Sequence, residues 1–235
     1  MPILTIIMSI DKKVIAVLLA AGKSKRFKKG FKQFKKIEGK NLFEYSLEKF
    51  LSVKEVEKIF FVVPKDFKTI SIKNARVEII SGGRRRQDSL FNALSKIKEN
   101  CDVVIVHDSA RPFVTKRDIK NVIRETIKNG ASICGMKVYD TIKLTERDFV
   151  KRTLPREKLF RAATPQGFRG EFLEKVKKLL KSKSKFTDEA SVFEKLKIPV
   201  KIVVCENENF KITTEKEFKI AEVLLGGAGE KKSCK

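Results

Sequence analysis

Several residue types are scarce in this 235-residue sequence, and each shortage excludes a class of protein. Tryptophan is absent and histidine occurs once. No uninterrupted apolar run approaches the roughly 18 residues that a membrane-spanning helix needs. The 12 glycines and 6 prolines are too few for a fibrous or low-complexity chain. The sequence therefore predicts a globular protein that does not span a membrane.

Cysteine is also sparse, and its spacing excludes the usual zinc and thiol-redox motifs, since no C-x-x-C pair occurs. The four cysteines stand far apart, at Cys101, Cys134, Cys205 and Cys234. Cys134 and Cys205 fall within apolar runs, which predicts buried thiols and a reducing compartment. The opening MPILTII has no basic segment and is too short for a secretory signal, so we expect a cytoplasmic protein. Met8 stays open as an alternative start.

Positive charge is the feature in excess: 53 basic and 29 acidic side chains give a formal net charge of +24. The lysines are spread along the chain and do not gather in one arm. Three explanations stay open, namely a lysine-rich surface typical of heat-adapted proteins, binding of nucleic acid, and anionic small-molecule substrates.

Short apolar runs alternate with segments of helical spacing, which predicts an α/β protein. The predicted strands cover residues 13–20, 58–63, 77–80, 103–106, 131–138 and 200–204. The predicted helices cover residues 43–50, 89–98, 119–127, 170–180, 188–196 and 214–225. The alternation favours a mainly parallel twisted sheet with helices on both faces, and such sheets bind ligands at the carboxyl ends of their strands.

Residues 140–162 break this alternation, because they are charged, contain scattered threonine and proline, and have no long helical period. We expect a protruding arm there. No repeat or proline-rich linker divides the chain, so residues 8–228 are predicted to form a single domain, with tails at 1–7 and 229–235.

The loop after the first predicted strand, AAGKSKRFKKGFKQF, combines small residues with many cations. Ala20, Ala21 and Gly22 allow backbone N–H groups to approach a ligand closely, and neighbouring cations can then hold a polyphosphate. It is not a Walker A loop, since Val17 stands where that motif needs its first glycine, and no G-x-G-x-x-G follows the strand. A solvated turn with surface lysines is the alternative.

The strand VVIV leads into His107 and Asp108, which places a carboxylate at a strand's carboxyl end. One carboxylate together with substrate phosphates is a usual arrangement for Mg²⁺. Alternatively, Asp108 caps a turn or pairs with Arg111. We interpret His107 as a hydrogen-bonded structural residue.

The segment SGGRRRQDS places two glycines, Gly82 and Gly83, before a predicted helix. Glycines at a helix entrance permit close backbone approach to a flat or anionic ligand, although a purely structural turn fits equally well. Taken singly, Asp188 and Lys211 are compatible with a cap or a surface charge.

Seven fragments, taken in order, resemble the 2-C-methyl-D-erythritol 4-phosphate cytidylyltransferase family over residues 13–225. They are LLAAGKSKRF…KQF, SGGRRRQDS, VHDSARPF, DTIK, RAATPQGF, TDEAS and NFKIT. The sequence departs from the family loop at Ser24, where glycine is usual, and at Phe31, where proline is usual.

The resemblance implies a Rossmann-like nucleotidyltransferase that joins CTP to methylerythritol phosphate, requires Mg²⁺ held by Asp108, and releases pyrophosphate. It implies that Arg26 and Lys32 stabilise the reacting α-phosphate. The implied CTP-binding residues are Ala20, Ala21, Gly22, Gly83, Arg86, Ser89 and Asp108. The implied acceptor-binding residues are Arg111, Thr141, Arg156, Thr164 and Lys211, of which Arg156 and Lys211 also position the acceptor for attack.

The family arm reaches across a homodimer, so the resemblance also implies that each site borrows arm residues from a second copy. A phosphate monoester is already largely ionised near neutral pH. The acceptor therefore needs no general base, which agrees with the shortage of histidine. Two alternatives stay open: a sister enzyme that uses ribitol 5-phosphate, and a basic nucleic-acid-binding protein without catalysis.

Overall fold

A seven-stranded sheet forms the centre of the computed structural model, which describes residues 12–23, 27, 30–67, 70–98, 100–205 and 209–227. The strands are β1 Val14–Leu19, β2 Lys36–Ile37, β3 Lys40–Asn41, β4 Val56–Val63, β5 Val77–Ser81, β6 Val103–Asp108, β7 Ala131–Lys137, β8 Ile142–Glu146, β9 Phe149–Leu154, β10 Phe160–Arg169 and β11 Lys201–Val204. The order across the central sheet is β11-β7-β10-β6-β1-β4-β5.

The described residues also form six α-helices, close to the positions that helical spacing predicts. They are α1 Leu42–Leu51, α2 Arg86–Leu94, α3 Lys116–Asn129, α4 Leu173–Leu180, α5 Glu189–Lys195 and α6 Glu215–Gly226. Capping boxes set two of the starts, because Thr115 and Thr214 each accept a bond from the backbone three residues on. Within the described part of the chain, no helix is long and apolar enough to cross a membrane.

Alternate residues of β1 supply the two faces of the core. Val14, Ala16 and Leu18 pack with α1 and α3 on one face, while the residues between them pack with α2, α4 and α5 on the other. Every residue of β1 is buried for this reason. The predicted fold class, a mainly parallel sheet with helices on both faces, is confirmed.

Sequence patterning missed strand β10, which runs antiparallel to both of its neighbours, β6 and β7. The segment FRAATPQGFR has no apolar run, so it does not read as a buried strand. It is nevertheless buried from Ala163 to Phe168, because small residues and hydrogen-bonded polar side chains such as Gln166 replace the usual aliphatic ones. The prediction of an arm over residues 140–162 is wrong at its end, because residues 160–162 belong to β10 of the central sheet.

The predicted arm is present as an antiparallel hairpin of β8 and β9. Arg147 and Asp148 form its turn with positive φ angles of 46° and 68°. Almost every hairpin residue is exposed, and so are the apolar side chains of Leu144, Phe149 and Val150. The hairpin therefore has a large surface that the described part of the chain does not cover.

Cys134 and Cys205 are buried free thiols, as predicted. Their sulfur atoms and an oxygen of the Asp118 carboxylate lie within 4.8 Å of one another. A hydrogen bond to Cys205, together with burial, raises the pKa of the Cys134 thiol well above its ordinary value. Cys234 lies outside the described residues, as do the predicted tails at 1–7 and 229–235.

Candidate active site

A cavity of about 890 Å³ opens at the carboxyl ends of β6, β1, β4 and β5. β4 and β5 lie on one side of β1, and β6 lies on the other side, so the order of the strands reverses at β1. Open α/β sheets bind ligands in the crevice at such a reversal. The segments that follow the four strands line the cavity and include Ala21 and Gly22, Pro64 and Lys65, Gly82 to Arg85, and Asp108 and Ala110. The cavity thus lies where the sequence predicts a ligand site.

Cations dominate the charged lining of this cavity. They are Lys23, Lys32, Lys65, Arg84, Arg85, Arg86 and Lys211, against the carboxylates of Asp66 and Asp108. A concave surface of one charge sign concentrates the opposite charge. The cavity is therefore suited to a polyanionic ligand.

The loop after β1 is closed by a glutamine that sequence analysis did not single out. The Gln33 amide nitrogen donates to the backbone carbonyls of Ala20 and Gly22. The Ala20 N–H in turn donates to the carbonyl of Val62 at 2.7 Å, so Ala20 lies behind the cavity wall with both backbone groups bonded. Ala21 and Gly22, by contrast, line the cavity.

A short 3-10 turn, Lys32–Phe34, presents Lys32 to the cavity. The side chain of Lys32 is largely buried. Phe34 stacks on Phe67 with ring centroids 4.6 Å apart, and Phe31 packs edge-on against Phe67 at 4.9 Å. Aromatic packing therefore fixes the turn that carries Lys32. Arg26, its predicted partner, lies outside the described residues.

The glycine pair after β5 allows two loops to touch. A Cβ atom on Gly82 would lie 2.3 Å from the Cβ of Ala21, and one on Gly83 would lie 2.4 Å from the Cβ of Asp88. The Gly83 N–H donates to the Ser89 hydroxyl oxygen at 3.0 Å. Only glycine fits at both positions, so the backbone here stands unusually close to the cavity.

Asp108 lies between two cations at the end of β6. Its Oδ1 accepts from Arg86 Nε at 3.1 Å, and its Oδ2 accepts from Lys211 Nζ at 2.7 Å. Burial alone would raise the pKa of this carboxyl, but the charges of Arg86 and Lys211 outweigh it and hold the pKa well below its ordinary value. Asp108 is therefore ionised at any physiological pH.

The alternative prediction, a pair between Asp108 and Arg111, is wrong: the Asp108 carboxylate accepts hydrogen bonds from Arg86 and Lys211. The Arg111 guanidinium donates instead to the backbone carbonyl of Asn209 at 2.7 Å. Arg111 is close in sequence, but the turn after β6 directs its side chain toward the segment before Lys211. Sequence distance was a poor guide to the partner.

His107 has the structural role that the sequence predicts. Its Nδ1 lies 3.0 Å from the Thr164 hydroxyl and its Nε2 lies 3.2 Å from the carbonyl of Arg111. A carbonyl only accepts, so Nε2 carries the proton and Nδ1 accepts from Thr164. Burial lowers the pKa of His107 to about 3. The ring is therefore neutral and positions Thr164, whose oxygen also accepts from the Asp108 N–H at 3.0 Å.

The predicted acceptor residues fall in two places. Lys211 lines the large cavity, Arg111 follows the lining residue Ala110 in the chain, and Thr164 accepts a hydrogen bond from the lining residue Asp108. Thr141 and Arg156 belong to the arm and line a second cavity of about 220 Å³. The Arg156 guanidinium donates to the carbonyl of Tyr139 at 2.7 Å. Among the described residues, the two groups thus belong to separate cavities.

A glycine-lined, cation-rich cleft at the carboxyl ends of a mainly parallel sheet is typical of α/β proteins that bind nucleotides, and the family match places this chain among the nucleotidyltransferases. The particular family follows from the sequence as a whole. The chain belongs to the 2-C-methyl-D-erythritol 4-phosphate cytidylyltransferase family, whose model matches residues 14–227.

Proteins of that name from two bacteria illustrate the likeness. The Endomicrobium trichonymphae protein is 37% identical over 91% of this chain and 99% of its own length. The Clostridium kluyveri protein is 40% identical over 91% of this chain and 97% of its own length.

Solved structures agree with this membership. A 4-diphosphocytidyl-2C-methyl-D-erythritol synthase from Anaerococcus prevotii superimposes with a TM-score of 0.82 at 28% identity, covering 92% of this chain and 97% of that one. A 2-C-methyl-D-erythritol 4-phosphate cytidylyltransferase from Thermus thermophilus gives a TM-score of 0.75 at 28% identity, covering 90% and 98%.

Proposed function

We propose that this chain transfers a cytidylyl group from CTP to 2-C-methyl-D-erythritol 4-phosphate, releasing pyrophosphate and 4-diphosphocytidyl-2-C-methyl-D-erythritol. The observation that carries the proposal is the cation-lined cavity beside β1, in a chain of this family. An oxygen of the acceptor phosphate attacks the α-phosphorus of CTP in line with the departing pyrophosphate. The P–O bond to pyrophosphate breaks as the new P–O bond forms.

Catalysis of this step depends on alignment and charge, because the acceptor is already an anion. Lys32, fixed in its turn by aromatic packing, places a compact positive charge at the cavity wall. Arg26 belongs to the same loop, and we assign it the same role from the family pattern. Together they neutralise the charge that grows on the α-phosphate in the transition state.

The backbone around the two glycines is suited to recognise the cytosine ring. Gly83 and Ser89 line the cavity and are hydrogen-bonded to each other. A flat base fits against a wall that has no side chain, and its polar edge can be read by backbone groups. Ala21 and Gly22 line the cavity next to this segment.

We assign the divalent cation, Mg²⁺, to Asp108. Its carboxylate is ionised and lies at the cavity edge, and each oxygen uses only one of its lone pairs on Arg86 or Lys211. One carboxylate with substrate phosphates is a usual set of ligands for Mg²⁺. When bound, the cation neutralises charge on the triphosphate.

Replacing this carboxylate tests the assignment. Asp108→Asn should raise the Mg²⁺ concentration needed for half-maximal activity by about tenfold, since one charged ligand is lost. The measurement is a Mg²⁺ titration of turnover at saturating CTP. An unchanged titration would leave Asp108 as a partner of Arg86 and Lys211 only.

We further propose a homodimer in which the arm of one copy completes the acceptor site of the other. The separation of Thr141 and Arg156 from Lys211 supports this, and so does the exposed apolar surface of the hairpin. Free cysteines and soluble phosphorylated substrates fit the cytoplasm as the place of action.

The test of function is release of pyrophosphate from CTP and Mg²⁺ with each acceptor separately. Methylerythritol phosphate should support turnover, whereas ribitol 5-phosphate should not. Turnover only with ribitol 5-phosphate would move the chain to the sister activity. Salt-sensitive binding to duplex DNA that survives Lys32→Ala, without turnover, would favour a nucleic-acid-binding protein.

A further inference from the structure

Glu189 does not line the large cavity, but it forms a two-point ion pair with Arg86, which does. Its Oε1 accepts from Arg86 Nη1 at 2.7 Å and its Oε2 accepts from Arg86 Nη2 at 3.1 Å. This two-point geometry fixes the plane and the direction of the guanidinium, which a single contact does not. The side chain of Glu189 is only 3% exposed, so water does not compete for it.

We propose that Glu189 is a positioning residue for the transfer reaction: it holds Arg86 so that Arg86 can hold Asp108 at the cavity edge. The inference rests on the proposed function, because Arg86 and Asp108 are assigned there to the CTP site. Glu189 itself touches neither substrate nor reacting atoms.

The backbone of Glu189 is held in place by Gln166 of β10. Glu189 is the first residue of α5, and the Gln166 side-chain carbonyl accepts from the backbone N–H groups of Glu189 and Ala190 at 2.9 and 3.0 Å. The Gln166 amide nitrogen donates to Ala163 and to Asp188. The start of α5 is thus attached to β10, next to the strand that carries Asp108. The carboxylate of Glu189 has a rigid base.

Four charges of alternating sign connect α5 to the cavity. They run from Glu189 to Arg86, then to Asp108 and Lys211, and the successive nitrogen–oxygen distances are 2.7, 3.1 and 2.7 Å. Arg86 uses its two terminal nitrogens on Glu189 and keeps Nε for Asp108. Without Glu189 the terminal nitrogens lose their carboxylate, and the guanidinium is free to turn onto Asp108 or onto a bound phosphate.

The charges around Arg86 also support a positioning role for Glu189. Burial would lower the pKa of the Arg86 guanidinium, but the charges of Asp108 and Glu189 outweigh it and raise the pKa above its ordinary value. With two carboxylates around one arginine, Asp108 does not have to neutralise Arg86 alone. Glu189 therefore leaves Asp108 available to other cations in the cavity.

A double-mutant cycle separates positioning from a merely structural role. The variants are Glu189→Gln, Arg86→Gln and the pair together, with kcat/KM for CTP, the Kd for CTP and the melting temperature measured for each. Glu171→Gln is the matched control, because it removes the carboxylate from an exposed pair with Arg169 at 2.7 Å. Glu189→Asp keeps the carboxylate charge and tests whether that charge restores activity.

We expect Glu189→Gln to lower kcat/KM for CTP by about 10- to 100-fold and to weaken CTP binding, as loss of an orienting partner does elsewhere. In the Arg86→Gln background the same change should cost less than twofold. Glu189→Asp should recover part of the loss, and Glu171→Gln should match the parent protein.

An equal loss in both backgrounds, or an unchanged kcat/KM in Glu189→Gln, would overturn the proposal. If Glu189→Gln does not fold, Glu189→Asp and its Arg86→Gln double variant give the same cycle. If the parent protein binds CTP but transfers nothing, the proposed function fails. The double-mutant cycle can still be evaluated from the Kd for CTP of each variant, so the role of Glu189 is tested independently. A parent protein that binds no CTP would overturn both.

Discussion

Asp108 shows how one carboxylate can be shared among several partners at a site. It is flanked by Arg86 and Lys211 on its two oxygens, and its backbone N–H donates to Thr164. These contacts keep it charged despite burial and fix its direction. A single position thereby joins the expected nucleotide residues to the expected acceptor residue Lys211.

At the same scale, Lys32 should act mainly on the chemical step. Lys32→Ala should lower kcat about 100-fold or more while changing the KM for CTP much less, because the charge at phosphorus grows in the transition state. Steady-state kinetics with varied CTP measure both. Lys36→Ala, an exposed lysine on β2, is the control. A normal kcat in Lys32→Ala would remove this side chain from the mechanism.

His107 should make the stability of the protein depend on pH. Its pKa is about 3 in the fold, against an ordinary value of 6.5. Below pH 6.5 the unfolded chain takes up a proton that the native state does not, so stability is lost as the pH falls, by about 1.4 kcal/mol per pH unit. Urea unfolding should thus show a decrease of about 2 kcal/mol between pH 6.5 and pH 5.

The control for this pH dependence is His107→Gln, which keeps a polar side chain but has no group that titrates in the range. Whatever its stability at pH 7.5, the decrease toward pH 5 should become smaller. The same slope in both proteins would mean that other groups cause it.

At the scale of elements, two loops decide the shape of the cleft. The loops after β1 and β5 touch at Ala21 and Gly82, and the second loop leads directly into α2, which carries Arg86 and Ser89. A change in the entry to α2 therefore moves the backbone wall and the Arg86 contact together.

Gly83→Ala tests this arrangement. The added Cβ would lie 2.4 Å from the Cβ of Asp88, so the entry to α2 must shift and the bond from Gly83 to Ser89 must lengthen. We expect the affinity for CTP to fall about tenfold, since displacement of a binding group by roughly 1 Å has effects of this order or larger. Isothermal calorimetry measures the affinity. Ser95→Ala, at the exposed far end of α2, should bind CTP normally.

At the scale of the whole molecule, the arm is the element whose exposed apolar surface has no evident role within the described part of one copy of the chain. Among the described strands, β8 and β9 pair only with each other, and their apolar side chains are exposed, Phe149 to 80%. The second cavity carries two of the predicted acceptor residues. The single domain over residues 8–228 stays a prediction, as does the homodimer.

Mixing two inactive variants tests the exchange of arms. If the arm serves the partner, a mixed dimer of Lys32→Ala and Arg156→Ala contains one intact site. Random exchange should then restore about a quarter of the parent activity, because half of the dimers are mixed and each has one intact site of two. Pyrophosphate release after subunit exchange measures this.

The control mixes Lys32→Ala with Lys211→Ala, two changes in the same cavity. No mixed dimer of these variants has an intact site, so no activity should return. If the mixture with Arg156→Ala also stays inactive, the arm acts within its own chain or not at all.

The net charge of +24 is only partly explained at this scale. The lining cations make the large cavity suited to a polyanion, and the other lysines are spread along the sequence.

Local patterns in the sequence were enough to predict six strands of the central sheet, the six helices of the described residues and three of the segments that line the cleft, those after β1, β5 and β6. Buried runs such as β1 and capping boxes such as Thr115 with Asp118 have short-range causes, so they are visible without a structure. Only the tertiary structure revealed β10, whose burial depends on its neighbours and not on its own hydrophobicity.

The tertiary structure also decided the partners of the polar residues. Gln33 closes the loop after β1, Glu189 meets Arg86, and Lys211 takes the place that proximity in sequence had suggested for Arg111. Such pairs join segments that strand order brings together, and charge or size alone does not specify which segments those are. The sequence by itself determined which chemical groups the chain carries. The packing of the sheet decided which of those groups lie together in one site.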